Sequence, residues 1–443
     1  MSLKVAVIGA GSLGFTRRLM MDILAVPEFR ETEFRFMDID ADRNAKVGEI
    51  CRKMIADSRL PAKLTMTTDR RRALDGADYV FCVVRVGGLE AFAKDVEIPL
   101  KYGVDQCVGD TLCAGGIFYA QRTIPVLLDI CKDMRQLCPG AMLINHTNPM
   151  AMNSWAVYKA GGVRYVGLCH GVEGGVGRIA AAFAVEPKDV EYICAGINHQ
   201  TWYIKVKVKG RDVTREMLRR FEAHPRLSRQ EPVRIDVLRR FGYFSTESNG
   251  HLSEYVAWYR KGRNWKRRWV CKDSWILGPT KGYLDHCRKT ADYFEENYRK
   301  WLSGELPAIA YGTRSSEHGS WIMEAQETGR PYRGYFNVMN NGTIDNLPAE
   351  CCVEVPGYVD RFGVQPLKVG PLPPQCAAVC KQTILVQELA VEAALTGNKD
   401  LVRQAVALDP LCGAVLTTQQ VWDMCNEMFK ALGKHMPQFK GRK

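Results

Sequence analysis

The sequence has no apolar run that approaches the ~18 residues of a membrane-spanning helix, which excludes a helical membrane protein. Nor does it begin like a secreted protein, because a strand-like segment starts at Leu3 with no apolar leader before it. Internal repeats and low-complexity linkers are also missing. We therefore expect a cytoplasmic globular protein with no membrane partner.

The sequence also lacks any Cys-x-x-Cys pair, although it contains 16 cysteines. They are scattered, and most, such as Cys82, Cys131 and Cys194, lie inside apolar runs. This pattern argues against a zinc finger or a disulfide framework, and it predicts reduced, buried thiols.

Acidic residues are fewer than basic ones, which gives the 443-residue chain a formal net charge of +12. The basic residues cluster between Arg260 and Arg268 and in the tail from Lys440 to Lys443. No helix-turn-helix, finger or RNA-binding signature accompanies them. We expect a solvated basic face or an attraction for anionic substrates, and no nucleic-acid partner.

A glycine-rich turn follows the first apolar strand, Lys4 to Ile8, and leads into a helical segment. The pattern from Gly9 to Gly14 is a full G-x-G-x-x-G, in which the first glycine permits a tight turn and the second lets a pyrophosphate approach. The third glycine is expected to let helix and strand pack closely. Four residues are the candidate phosphate contacts: Gly9, Gly11, Ser12 and Leu13.

A carboxylate ends the second predicted strand, Glu33 to Met37. Asp38 can accept both ribose hydroxyls of a dinucleotide and would repel a 2′-phosphate, which favours NAD over NADP. Arg43, a few residues on, keeps NADP open as an alternative.

Apolar strands continue to alternate with helices, and each strand ends on polar side chains. The fold class predicted is α/β: an N-terminal Rossmann-like, doubly wound parallel sheet in residues 1–165, then a mixed α+β catalytic and substrate domain in residues 166–443. The polar residues expected near the crevice at the strand ends include Arg85, Asp110 and Asn148.

A thiol and an imidazole follow the next two predicted strands. Cys169 ends one and His199 ends the other, and together they could hold a divalent metal with positions open for substrate. Taken singly, each could equally be an ordinary core residue. A nicotinamide site beside such a pair indicates either a dehydrogenase of the hydroxy-acid kind or a lyase-like glycosidase that uses NAD. A dinucleotide-sensing or nucleic-acid-binding protein is the non-catalytic alternative.

Ordered motifs along nearly the whole chain resemble glycoside hydrolase family 4, and most closely its melibiase-type α-galactosidases. The motifs are Gly9–Ser12, Met37–Asp40, Arg85–Gly88, Val108–Thr111, Asn145–Pro149, Cys169–His170, Gly196–His199, His251–Tyr255, Asn340–Pro348 and Cys352–Val355.

The resemblance implies an α-glycosidase that depends on NAD⁺ and Mn²⁺ rather than on two carboxylates. Such enzymes oxidise C3 of the sugar, remove the proton from C2, eliminate the leaving group from C1, add water and return the hydride. Cys169 and His199 match the metal ligands, and the ion would act as a Lewis acid on the C2 and C3 oxygens. A homodimer or homotetramer is also implied.

The same resemblance assigns further roles. His170 matches the acid that protonates the leaving oxygen, although some relatives carry Asp there, and Tyr255 is chosen as the base at C2. Asn148, Asp110 and Asn198 are the expected substrate contacts, and Arg85 is placed at the nicotinamide end of the site. Gly171 departs from the serine usual in melibiase-like members, which leaves α-glucosides and α-uronides open beside α-galactosides.

Overall fold

Strands and helices alternate through the first half of the chain in the computed structural model, which describes residues 2–304, 306–307, 309 and 314–439, with Leu13 described by its backbone alone. The strands of the described residues are β1 (Lys4–Ile8), β2 (Glu33–Met37), β3 (Lys63–Thr67), β4 (Tyr79–Cys82), β5 (Met142–Asn145), β6 (Arg164–Gly167), β7 (Val190–Ile197), β8 (Gln200–Val208), β9 (Arg211–Asp212), β10 (Phe244–Ser245), β11 (Tyr332–Met339), β12 (Cys352–Asp360) and β13 (Gly363–Pro366). The α-helices are α1 (Leu13–Leu24), α2 (Ala41–Asp57), α3 (Arg70–Leu74), α4 (Gly88–Lys101), α5 (Cys113–Leu137), α6 (Met150–Ala160), α7 (Gly171–Phe183), α8 (Met217–Ala223), α9 (Leu227–Gln230), α10 (Pro232–Phe241), α11 (Asn249–Tyr255), α12 (Trp265–Trp269), α13 (Gly282–Ser303), α14 (His318–Thr328), α15 (Pro374–Thr396), α16 (Lys399–Leu408), α17 (Pro410–Val415) and α18 (Thr418–Leu432). The predicted basic tail, residues 440–443, lies outside the described residues.

Six parallel strands form one half of a single sheet, in the order β3-β2-β1-β4-β5-β6. The order reverses between β1 and β4, and ligands of open α/β sheets bind at the carboxyl ends of strands flanking such a reversal. The strands β4 and β5 are buried along their whole length, which indicates that both faces of this half of the sheet are covered, as in other parallel sheets. The predicted Rossmann-like sheet is confirmed.

The sheet continues past β6 with antiparallel strands in the order β11-β12-β7-β8-β10. Its main hydrophobic core is shared by both halves, since Val5 of β1 and Val353 of β12 belong to one buried cluster. A second cluster lies around β7, β8 and the helices α7, α8 and α10. The division at residues 165 and 166 stays a prediction, while the sheet itself runs through that point without a break.

One expectation about local packing is wrong, and a second is wrong for one residue. Within the described residues no atom lies within 4 Å of a Cβ placed on Gly14, so the third glycine does not serve close helix–strand packing. The expected solvated basic face is present, since the other basic residues of the 260–268 cluster are exposed. Arg260 does not belong to it, because it is 2% exposed and donates through Nε to the carbonyl of Asp105 at 2.6 Å. The neighbouring Lys266 is 57% exposed and pairs with the same aspartate.

The thiol prediction agrees with the structure: all sixteen cysteines are free, and fourteen of them are buried. No helix within the described part of the chain combines the length and apolar character that crossing a membrane requires.

Candidate active site

The glycine turn lies at the reversal of the sheet and approaches the end of β4. Gly9 has φ +91°, and a Cβ there would lie 2.8 Å from the carbonyl carbon of Val83, so only glycine fits without strain. The amides of Gly9 and Ala10 both donate to the carbonyl of Met37, at 2.8 and 3.0 Å. The turn is therefore held against the ends of its two neighbouring strands.

Asp38 fixes the other side of this turn. One carboxylate oxygen accepts from the amide of Gly11 at 2.8 Å and the other from the amide of Asp40 at 3.0 Å. Arg43 donates through Nε to the carbonyl of Gly11 at 2.8 Å, and its guanidinium packs over the ring of Phe294. Both side chains thus hold the backbone of the loop in place.

The residues present fit a dinucleotide. A Cβ on Gly11 would lie 2.8 Å from Asp38 Oδ2, so both crowded glycines leave a concave backbone surface that side chains would fill. Ser12 precedes helix α1, whose first amides face the same space. Leu13 begins this helix, and its side chain lies outside the described residues.

Arg85 lies in an aromatic cage beside the turn. Its guanidinium carbon is 4.6 Å from the ring centroid of Phe92, 5.3 Å from that of Tyr283 and 6.0 Å from that of Tyr119. Nη2 donates to the hydroxyl of Tyr283 at 2.9 Å, while Nη1 is buried with no partner among the described residues. An unpaired donor on a fixed cation suits an anionic or hydroxyl-bearing ligand.

A hydrogen-bonded chain runs from the end of β5 to the metal-competent side chains. Asn148, whose bond to Pro149 is cis, donates through Nδ2 to Asp110 Oδ2 at 3.2 Å. Thr111 donates to the other oxygen of Asp110 at 2.8 Å and lies 3.3 Å from His199 Nδ1. The structure therefore brings together three of the predicted residues through a threonine that holds no predicted role.

His199 presents its other nitrogen to a carboxylate. The residue joins β7 to β8 with φ +63°, and its Nε2 lies 3.9 Å from Oε1 of Glu247. Burial lowers the pKa of His199 to about 4, so its imidazole is neutral at physiological pH, the form that binds metals. Cys169, at the end of β6, is half-buried beside Glu247 and Glu354, and burial with these carboxylates raises its pKa well above the ordinary value.

The structure adds residues that sequence reasoning did not assign. Potential ligand atoms of His199, Glu247 and His251 all lie within 4.8 Å of one another, and all three residues are buried. The sequence carried only a weak signal, because Glu247, His251 and Tyr255 recur at intervals of four but Glu247 lies ahead of helix α11. These two imidazoles and the carboxylate, with the thiol of Cys169 near Glu247, are donor types that fit a divalent transition metal.

The two predicted proton-transfer residues have contrasting surroundings. Tyr255 is 1% exposed, and its ring lies 6.4 Å from that of His199 and 5.1 Å from that of His251. Burial raises the pKa of Tyr255 well above its ordinary value, and the carboxylate of Glu247 adds to the effect. His170 is 63% exposed at the start of α7, with Nδ1 3.8 Å from Glu317.

Asn198 is oriented by a second buried carboxylate. Its Nδ2 donates to Oε2 of Glu354 at 3.0 Å, while its Oδ1 is buried and unpaired within the described residues. Burial raises the pKa of Glu354 to about 8, which makes this group largely neutral at pH 7. The amide of Asn198 is thus turned toward β12, and only its oxygen is free for another contact.

This fold and site define a Rossmann-like α/β enzyme with a glycine turn at the reversal of its sheet and metal-competent side chains that follow β6, β7 and β10. The family model described as family 4 glycosyl hydrolase matches residues 4–185, and the model of the C-terminal domain of that family matches residues 194–412. The chain therefore belongs to family 4 of the glycosyl hydrolases, and it is a glycoside hydrolase. The predicted family is confirmed.

Curated relatives of this chain include two bacterial α-galactosidases. The protein from Rhizobium meliloti (strain 1021) is 52% identical over 99% of this chain and 90% of its own length. The protein from Bacillus subtilis (strain 168) is 36% identical over 99% of this chain and 100% of its own length.

Solved structures share the fold. That of lplD from Bacillus subtilis has a TM-score of 0.83 and 27% identity, covering 96% of this chain and 99% of that chain. A 6-phospho-α-glucosidase from gut microorganisms, solved with NAD and Mn²⁺, has a TM-score of 0.82 at 21% identity, covering 99% and 100%.

Proposed function

We propose that the protein is an NAD⁺- and Mn²⁺-dependent α-glycosidase that acts on α-galactosides. The observation that carries the proposal is the placement of His199 beside the hydrogen-bonded residues Thr111, Asp110 and Asn148, with Glu247 between His199 and Cys169. The α-galactosidase names of two relatives that align over 99% of this chain support the choice of sugar.

In this proposal NAD⁺ and Mn²⁺ are bound by separate sets of residues. Gly9, Gly11, Ser12 and Leu13 would contact the pyrophosphate, and Asp38 would accept the ribose hydroxyls. Cys169 and His199 would bind the metal. When bound, NAD⁺ accepts and returns a hydride and Mn²⁺ polarises sugar oxygens, which together acidify the C2 proton of the sugar.

Tyr255 is the base that takes the C2 proton in this scheme. Burial keeps the hydroxyl of Tyr255 protonated when no cation is nearby. Tyr255 can therefore act as a base only with a positive charge beside it. His170 is the acid that donates a proton to the leaving oxygen, and its exposed position suits a group at the mouth of the site.

The remaining predicted residues would orient the sugar. Asp110 and Asn148 are already joined by a hydrogen bond, and each keeps polar atoms for sugar hydroxyls. Asn198 offers its unpaired Oδ1. Arg85 offers Nη1 at the nicotinamide end, where the aromatic cage fixes its direction.

A nitrophenyl glycoside panel tests the proposal: α-galactoside, α-glucoside and α-galacturonide, each with and without NAD⁺, Mn²⁺ and a thiol reductant. We expect nitrophenol release from the α-galactoside only when NAD⁺, Mn²⁺ and reductant are all present, with no accumulation of NADH absorbance. Steady NADH production would instead identify a dehydrogenase. In D₂O the released sugar should carry deuterium at C2, and hydrogen retained there would refute the elimination.

We also propose a cytoplasmic homodimer or homotetramer. Light scattering coupled to size-exclusion chromatography would measure the oligomer, and a mass of one chain across a concentration series would contradict it.

A further inference from the structure

Glu247 is a buried carboxylate whose ion-pair partners among the described residues are histidines. It follows β10 and is 6% exposed. Its ion-pair distances within the described residues are to two histidines, and no Lys or Arg nitrogen lies within 4.0 Å of it. An ionised carboxylate is costly to bury without a compensating charge, and His251 supplies such a partner to one oxygen, so the case for a metal rests on the other oxygen.

Each oxygen of this carboxylate has its own surroundings. Oε2 accepts a hydrogen bond at 2.7 Å from Nδ1 of His251, which fixes the orientation of the group. Oε1 is turned to the other side, 3.9 Å from Nε2 of His199. The free oxygen therefore faces one predicted metal ligand while the bound oxygen is anchored.

The same oxygen also faces the other predicted ligand across Gly171. A Cβ built on Gly171 would lie 3.1 Å from Oε1 of Glu247 and 3.6 Å from Sγ of Cys169. The thiol and the carboxylate thus border one small space, which the absence of a side chain at position 171 keeps open. A serine or alanine there would crowd the carboxylate.

We propose that Glu247 is a third protein ligand of the metal, beside Cys169 and His199, and that His251 is the positioning residue that holds it. The inference rests on the proposed metal dependence and goes beyond the thiol–imidazole pair expected from the sequence. Thiolate, imidazole and carboxylate together suit a divalent transition ion, and the hydrogen bond from His251 would orient the carboxylate ligand. Gly171 is then the residue that makes room for the third ligand.

Glu354 provides a matched control. It is also a buried carboxyl group beside Cys169, but its Oε2 already accepts from Asn198 at 3.0 Å. Glu→Gln substitution keeps the shape of each side chain. The two variants therefore differ in the surroundings of the changed group: Glu247 turns an oxygen toward His199, whereas Glu354 is bonded to Asn198. Loss of binding through Glu247 alone would identify ligation rather than a general effect of altering a buried carboxyl group beside Cys169.

The test measures binding of Mn²⁺ alone to full-length, metal-free, reduced protein, through the electron paramagnetic resonance signal of free Mn²⁺. We expect Glu247→Gln to weaken binding about 100-fold and His251→Gln about 10-fold, the range found when metal ligands lose their support. Gly171→Ala should also weaken binding, whereas Glu354→Gln should stay within about 3-fold of wild type. Circular dichroism and NAD⁺ binding establish that each variant is folded.

Co²⁺ gives a second readout that does not depend on turnover. The thiolate-to-cobalt charge-transfer absorption should persist in Glu247→Gln at saturating Co²⁺ and vanish in Cys169→Ser. If Glu247→Gln does not fold, His251→Gln decides, because it removes the anchor and leaves the carboxylate.

The outcomes separate the two proposals. Wild-type protein that binds no Mn²⁺ would refute both the proposed metal dependence and this ligand. Cys169-dependent Mn²⁺ binding that survives Glu247→Gln within about 2-fold, or an equal loss in Glu354→Gln, would refute the ligand role of Glu247 alone.

Discussion

The glycine turn and the metal-competent cluster lie at the same edge of one sheet, but they are built in different ways. The turn draws on two short segments, Gly9–Ser12 and Met37–Asp40, that end neighbouring strands. The cluster gathers Cys169, His199 and Glu247 from three separate connections. A compact motif can therefore be recognised from its spacing, whereas a dispersed site depends on the path of the whole chain.

Cys169→Ser should separate the two regions most strongly. A serine hydroxyl is a poor ligand at neutral pH, so we expect Mn²⁺-dependent hydrolysis to fall by at least about 10³-fold, a loss of several kcal/mol of transition-state stabilisation. NAD⁺ affinity should stay within about 2-fold, because the turn contains no residue of the cluster. Hydrolysis assays and titration calorimetry measure the two quantities.

The control is Cys138→Ser, a buried thiol after α5 at the opposite edge of the sheet. It should keep hydrolysis near the wild-type rate. A parallel loss of NAD⁺ affinity in Cys169→Ser would mean that the two regions form one inseparable site.

Asp105→Asn should loosen the contact between the two halves of the chain. Asp105 is buried and pairs with Arg260 and Lys266, and removing one partner of a buried ion pair costs about 3 kcal/mol. Burial raises the pKa of Asp105, but the charge of Arg260 together with hydrogen bonds from Thr280, Arg260 and Lys266 outweighs it, so the net pKa is lowered. The aspartate therefore stabilises the fold above its unfolded pKa of about 3.9, and this stability is lost as pH falls below that value.

Urea denaturation at pH 7 and at pH 3 measures both effects. The exposed Asp292→Asn on α13 is the control and should change the free energy of unfolding by less than about 0.5 kcal/mol. If Asp105→Asn leaves the free energy of unfolding unchanged, the ion pairs of Asp105 do not stabilise the contact between the two halves.

Gly9→Ala and Gly14→Ala should have opposite effects on the turn. The first forces a Cβ against the backbone of Val83 at a positive φ, which costs about 1–3 kcal/mol and weakens NAD⁺ binding. The second adds a methyl group in open space on α1, where alanine is favoured over glycine by up to about 1 kcal/mol. Thermal unfolding and NAD⁺ titration test both, and Mn²⁺ affinity should remain constant in each.

A stable Gly9→Ala variant with normal NAD⁺ affinity would show that the turn can tolerate a side chain after all. Destabilisation by Gly14→Ala would restore the packing role first expected for that glycine.

Asp38→Asn should have the smallest effect. An amide keeps one acceptor oxygen for the backbone of the turn, so we expect about a 10-fold loss of NAD⁺ affinity and a narrower preference for NAD⁺ over NADP⁺. Competitive titration of the two nucleotides measures the preference. Arg43→Ala is the companion variant, and an increase in its NADP⁺ affinity would contradict the view that Arg43 supports the loop and attracts any 2′-phosphate.

The sequence by itself determined the parallel half of the sheet, the glycine turn, the terminal carboxylate Asp38 and the family. These depend on alternation of buried strands and on motifs a few residues long, whose geometry is local. Only the tertiary structure decided that Glu247 and His251 lie beside Cys169 and His199, that Arg260 is buried, and that Gly14 is unconstrained. These facts depend on contacts between residues far apart in the chain. The spacing of residues along the sequence does not show which distant segments meet.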